Sequence, residues 1–357
     1  MSPLPNSNKI DVKRLGQVFA NTVATYKFYW FLSILEIFNQ TGKTNITYKD
    51  IICRMIIKSW YPIQYFKLSF GQADMLVAQC NEILNDYNLR IDIKQGELEE
   101  ELDILYNNSQ KMHSHILHFG KNVPHWFMSP WFPKCNEREI IEYSQSFTNN
   151  CPYAIYKSPE KRIVINPSWT EYFSDNYGLL CDYCYWNLTL FLQRRNPNVP
   201  DIPHKLIQPL ERSSLAQQRK YWDIIFESVG TIPCIYTGKM LSKDSFDLDH
   251  FIPWSFVAHD LMWNLVPADS SINSSKSNHL PALDKYLASF AERQQTGIRI
   301  VSQIAPNSKL LEDFLQLGAS IQELGQMPAP DFMNLYKKSI TPLYQIAENM
   351  GFSIWSV

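Results

Sequence analysis

The stretch from Phe246 to Pro281 constrains this chain more than any other. Phe246-Asp-Leu-Asp-His-Phe-Ile252 is a short apolar run carrying two acids and an imidazole. It predicts a strand that delivers Asp249 and His250 to its end. Leu265-Val-Pro267 predicts a second short strand. Asp269 is a favourable N-cap for a helix with Asn273 and Lys276 on one face. Strand, loop, strand and helix then bring a carboxylate, an imidazole and an amide together.

That set suits phosphodiester hydrolysis. A hard divalent cation takes oxygen ligands, so Asp249 and the Asn273 side-chain carbonyl are the expected metal ligands and Mg²⁺ or Mn²⁺ the expected ion. A neutral imidazole can take a proton from an attacking water, which makes His250 the expected general base. Lys276 is expected to offset the charge that builds on the phosphate.

The segment resembles an HNH (ββα-metal) endonuclease domain, with His250, Asn264 and Asn273 as its three signature positions. It shows the family's Asp-His pair followed by Ile-Pro, then Asn264-Leu-Val, Asn273, Lys276 and a closing Leu280-Pro281. The layout is especially similar to modules of RNA-guided CRISPR nucleases and of bacterial restriction and phage-defence nucleases. The resemblance implies that His250 is the base and that Asp249 and Asn273 hold the metal. It also implies that Asn264 holds the loop that orients His250, which places Asn264 with His250 and Lys276 in the expected catalytic set. Many such modules are braced by a zinc knuckle of two Cys-x-x-Cys pairs. Here those positions are Cys234, Thr237, Asp269 and Ile272, so no structural zinc is expected in the module and neighbouring helices are expected to hold it.

A formal net charge of −2 argues against coating nucleic acid through bulk charge. Arg219, Lys220 and Lys239 are the candidate nucleic-acid contacts near the module; Lys157, Lys161, Arg162, Arg194 and Arg195 are further candidates for phosphate contact, and such groups are also what any soluble surface would show. The apolar run Phe28–Phe38 contains Glu36 and is too short to span a bilayer, so it reads as a buried helix and no membrane association is expected. The opening Met-Ser-Pro-Leu-Pro-Asn-Ser lacks the pattern of a secretory signal. With seven scattered cysteines, the expectation is a cytoplasmic protein with reduced thiols.

Residues 11 to about 120 predict helices, with Leu15, Val18, Phe19, Thr22, Val23, Tyr26, Trp30 and Ile34 at helical spacing. A helix from Ile51 to Trp60 is expected to be capped by Thr47 or Asp50 and ended by Pro62. Gly96–Leu102 reads as a solvated helical face. Val123–Cys135 reads as a rigid Pro- and Trp-rich connector, and Tyr153–Ile165 as a hairpin. One helix is expected over 168–194, with Ser168 and Glu171 in capping-box register, followed by a Pro-rich linker at 195–203. Beyond it come a helix at 214–229, the module at 232–281, and helices near 283–295, 308–317 and 330–350. His113, His115 and His118 read as helix histidines, and Cys181 with Cys184 as core thiols rather than metal ligands.

The expected fold is a mostly helical α+β protein with the ββα-metal module embedded in its C-terminal half. Residues 1–200 form a targeting or regulatory region open to a partner protein or regulatory ligand, and 204–357 form the nuclease region. The expected function is metal-dependent hydrolysis of nucleic acid, DNA in the first instance, by a bacterial defence or restriction effector. The alternative is an inactive nucleic-acid-binding or assembly subunit that keeps a vestigial HNH fold.

Overall fold

The aromatic run at 28–38 lies inside the helix Tyr26–Thr41, which is buried without interruption from Phe28 to Leu35. A helix apolar on every side can sit only in the middle of a core. A computed structural model describes residues 4–207 and 214–356, with 115–119 described by their backbone alone. The fold is mostly helical α+β, with one three-stranded sheet and two two-stranded ones among the described residues. No helix there is long and apolar enough to cross a membrane.

The chain divides into two compact units. The first comprises Met1–Pro197 and Ile202–Gln208, the second Asn198–Asp201 and Pro209–Val357. In the first, Tyr26–Thr41 packs against Tyr48–Trp60 and Tyr177–Gln193. Strands β1 (Asn45–Thr47), β2 (Tyr153–Tyr156) and β3 (Arg162–Ile165) form an antiparallel sheet in the order β1-β3-β2, with Ile46 and Ile155 both opposite Ile163. The hairpin is therefore present, and β1 is a strand that the Asn-Ile-Thr sequence did not announce.

Several boundaries differ from expectation. The apolar spacing from Leu15 to Ile34 is not one helix: Val12–Leu15 is a single turn, and regular helix resumes at Tyr26. Thr47 does cap the next helix, accepting from Asp50 N, but Pro62 does not end it. The chain continues through Tyr61–Tyr65 with the wider π spacing, where the missing proline N–H is accommodated. The helix expected over 168–194 breaks at Asn176 into Pro167–Asp175 and Tyr177–Gln193. Its cap is Asn166, whose side chain accepts from Ser168 N, so Ser168 is the second residue of the helix. The 123–135 connector belongs to the core, with Phe127, Met128 and Trp131 fully buried. Cys184 is buried and Cys181 half-buried in their helix. His113 packs on Tyr106, while the side chains of His115 and His118 lie outside the described residues.

The stretch expected to be a linker is tied down. Asn196 is buried; its Oδ1 accepts from Ser69 N at 2.9 Å, and its Nδ2 donates to Ser69 O and Leu192 O. Ile202, Lys205 and Leu206 are buried as well. Asn196→Ala removes all three bonds of a buried side chain. It should lower the unfolding free energy by about 2 kcal/mol, read as a reduced urea midpoint; an unchanged midpoint would show that this stretch is loosely held.

Candidate active site

In the second unit, β4 (Ile232–Pro233) pairs with β5 (Met240–Leu241), and β6 (Asp247–His250) pairs antiparallel with β7 (Leu265–Ala268). The register sets Asp249 opposite Val266 and His250 opposite Leu265. Side chains alternate along β6, so Asp249 turns inward, almost fully buried, while His250 stays partly accessible. Asp269 caps the following helix, Ser270–Lys276, by accepting from Ser271 N at 3.0 Å.

Asn264 closes the loop between the strands. Its Oδ1 accepts from Ile252 N and its Nδ2 donates to Ile252 O, both at 2.8 Å, and its own carbonyl accepts from Phe251 N. It is fully buried, so it positions the backbone just after His250 rather than touching a substrate. Two helices reach the same segment: Gln294 donates to Leu265 O at 2.7 Å and Tyr336 to Trp263 O at 2.5 Å.

Lys276 is where the geometry departs most from expectation. Its ammonium is fully buried and donates inward, to Asp249 Oδ1 at 3.0 Å and to His250 O at 2.7 Å. Charge offset at an approaching phosphate is therefore not its task; it locks the helix onto β6 and holds the Asp249 carboxylate. The other carboxylate oxygen accepts from Tyr236 Oη at 2.5 Å. Burial, with the Asp249 charge beside it, pushes the Tyr236 hydroxyl well above its ordinary pKa, so it remains a donor. Nothing in the sequence marks Tyr236, because it sits in the turn between β4 and β5 and its partner is thirteen residues away on β6. Asp260 was missed for the same reason: its Oδ1 lies 2.9 Å from His250 Nε2 across the interstrand loop. An acid in a loop following a catalytic-looking histidine was the only available cue.

Asp249 and Asn273 present hard oxygen donors, which fits a divalent cation of the Mg²⁺ class. Tyr236 and Lys276 occupy one position on each Asp249 oxygen, and a carboxylate offers about four in all. No hydrogen bond engages the Asn273 side chain among the described residues. Those residues contain no cluster of three or more His, Cys, Asp or Glu able to hold a metal by themselves. Any ion here would complete its shell with water or phosphate.

Two of the three candidate nucleic-acid contacts are engaged within the protein. Arg219 donates to Phe246 O and Lys243 O and stacks on the Phe246 ring. Lys239 forms an ion pair with Asp269. Lys220 is exposed. The Lys239–Asp269 pair joins the β4–β5 hairpin to the helix cap, across two of the segments that carry zinc-knuckle positions in related modules. Neighbouring elements clamp the hairpin further: Arg293 donates to Pro233 O, and Tyr236 packs edge-on against Tyr286 and Trp355.

Residues 234–282 match the sequence profile of a family described as HNH endonuclease. The chain contains an HNH module. No curated protein and no solved structure matches the chain. HNH domains are typically nucleases that act on nucleic acid with a divalent metal. In this HNH module the whole strand–loop–strand–helix unit, from β6 through Ser270–Lys276, lies inside the matched segment.

Two outcomes follow. Asn264→Ala strands the Ile252 N–H and C=O in a buried loop and should cost about 2 kcal/mol or more, measured by chemical unfolding, with a matching loss of any His250-dependent activity. The Asp269 carboxyl is held down at about 2, first by Lys239 and then by Ser271. A depressed carboxyl contributes stability that is complete above the unfolded pKa near 4 and lost as pH falls toward the folded value. Asp269→Asn keeps a capping side chain but loses the ion pair. Its Tm should sit below wild type at pH 7, and the gap should close between about pH 5 and pH 2. A gap independent of pH would remove the ion pair from the explanation.

Proposed function

We propose that this chain is a divalent-metal-dependent endonuclease hydrolysing phosphodiester bonds, with DNA as substrate. The observation that carries the reading is the Lys276 bridge, which ties the helix bearing Asn273 to the strand bearing Asp249 and His250. Asp249 and Asn273 are the residues that would hold Mg²⁺ or Mn²⁺. When bound, such an ion stabilises negative charge on the phosphate and the leaving oxygen. His250 takes the proton from the attacking water. Tyr236 and Lys276 fix the orientation of Asp249, and Asn264 fixes the backbone beside His250. Lys220 remains a candidate phosphate contact. Residues 1–200 would target or regulate the nuclease through a partner protein or ligand, in a cytoplasmic defence or restriction system. The defence or restriction role is what the resemblance implies.

A second reading, a vestigial HNH fold serving binding or assembly, draws on one observation: the Asp249 charge is already offset by a buried ammonium. Plasmid cleavage separates the two. Purified protein with Mg²⁺ or Mn²⁺ should cut, and EDTA should stop it without unfolding the chain. His250→Ala should lose about 10²–10⁴ in rate while keeping its fold. Asn273→Ala should need more metal for the same rate, because one oxygen ligand is gone. A wild-type protein inert on DNA and RNA with either ion would favour the second reading.

A further inference from the structure

The HNH resemblance explains the placing of His250 on β6, but not what its ring touches. The side chain is largely buried, and its Nε2 lies 2.9 Å from Asp260 Oδ1. A carboxylate only accepts, so the hydrogen in this bond belongs to Nε2. No hydrogen bond engages Nδ1 among the described residues. Of the two ring nitrogens, Nδ1 alone can then be the one without a hydrogen in the neutral ring.

Asp260 is itself held in place. Gln218, on the helix Ala216–Val229, donates from Nε2 to the Asp260 carbonyl at 3.2 Å. Two residues further on, Met262 N donates to Asp313 Oδ2 at 2.9 Å, pinning the other side of the loop. Gln218 and Asp313 both lie outside the segment 234–282 that matches the HNH profile. Elements outside the matched segment thus hold the loop that aims an acid at the histidine of the module.

We infer that Asp260 is a positioning residue that holds the His250 ring through Nε2 and leaves Nδ1 as the nitrogen that accepts the proton in hydrolysis. The inference rests on the nuclease reading above. In the step, an O–H bond of the attacking water breaks and its proton goes to Nδ1. The water oxygen forms a bond to phosphorus, and the leaving sugar oxygen departs with the electron pair of the broken P–O bond. The imidazolium that results faces the Asp260 carboxylate, which stabilises it as it forms.

The test uses the full-length protein in two measurements. With ¹⁵N-labelled histidine and no added metal, long-range ¹H–¹⁵N correlation should find the neutral His250 ring carrying its hydrogen on Nε2; the signals are assigned by their loss in His250→Asn. Asp260→Ala should give a mixture of the two tautomers, whereas Asp260→Asn, which keeps an acceptor oxygen, should retain the Nε2–H form. In plasmid cleavage with Mg²⁺, Asp260→Ala should lose roughly tenfold to a hundredfold in kcat with little change in KM, and Asp260→Asn should recover part of that loss. A wild-type ring with its hydrogen on Nδ1 overturns the inference. So does a folded Asp260→Ala that cuts as fast as wild type or faster, since that would make the contact idle or a restraint. If Asp260→Ala does not fold, Asp260→Asn decides: loss of its Nε2–H form counts against the inference and retention supports it. Wild-type protein that cuts nothing yet shows the Nε2–H ring would defeat the nuclease reading, and the proton step with it, while upholding the pairing.

Discussion

The site depends on one buried ammonium. Lys276 has no exposure, Asp249 almost none, and the two are joined directly, with the His250 carbonyl as a second acceptor. Taking both charges out of water is expensive, and their attraction offsets that cost only when the remaining hydrogen-bonding positions are well filled. Tyr236 fills one on the far carboxylate oxygen and the His250 carbonyl fills one on the ammonium. The helix, the strand and the hairpin that supplies Tyr236 are therefore linked through polar contacts that lose their balance if any one is removed. A two-stranded ribbon with a seven-residue helix could not hold such a pair by hydrophobic burial alone.

The surrounding helices supply the rest of the rigidity. Gln294 bonds to the Leu265 carbonyl at the start of β7 and Tyr336 to the Trp263 carbonyl in the turn before it, and Phe251 stacks on Phe290 with ring centroids 4.0 Å apart. The C-terminal segment completes the clamp: Leu280 N donates to Ser353 O, and Trp355 N returns a bond to Leu280 O. Cross-links of this kind do what a bound metal does in a zinc knuckle, which is to fix turns that have too little apolar surface to fix themselves. They also explain why a small module sits inside a larger helical unit.

Much of the module was legible because it is local. Asp249 and His250 on a strand, Asp269 as a cap, and Asn273 with Lys276 on one helical face all follow from spacings of a few residues. The same holds for the buried helix at 26–41 and for the hairpin at 153–165. Failures came where a residue had two possible partners and local pattern could not choose. Lys276 could point to solvent or to Asp249, and Asn166 or Ser168 could cap the same helix. Three prolines made 195–203 look like free chain, yet one buried asparagine anchors its start.

By itself, the sequence determined that Asp249, His250, Asn273 and Lys276 stand on a strand and the helix after it, and the order of those elements, because side-chain periodicity and capping act over a single turn or a few residues of strand. Only the tertiary structure decided what each group faces. The pairing of Asp249 with Tyr236, of Lys239 with Asp269 and of His250 with Asp260 depends on how loops close over separations of 13, 30 and 10 residues. A hydrogen bond is made by atoms about 3 Å apart, and no spacing rule along a sequence fixes a distance that small between two elements.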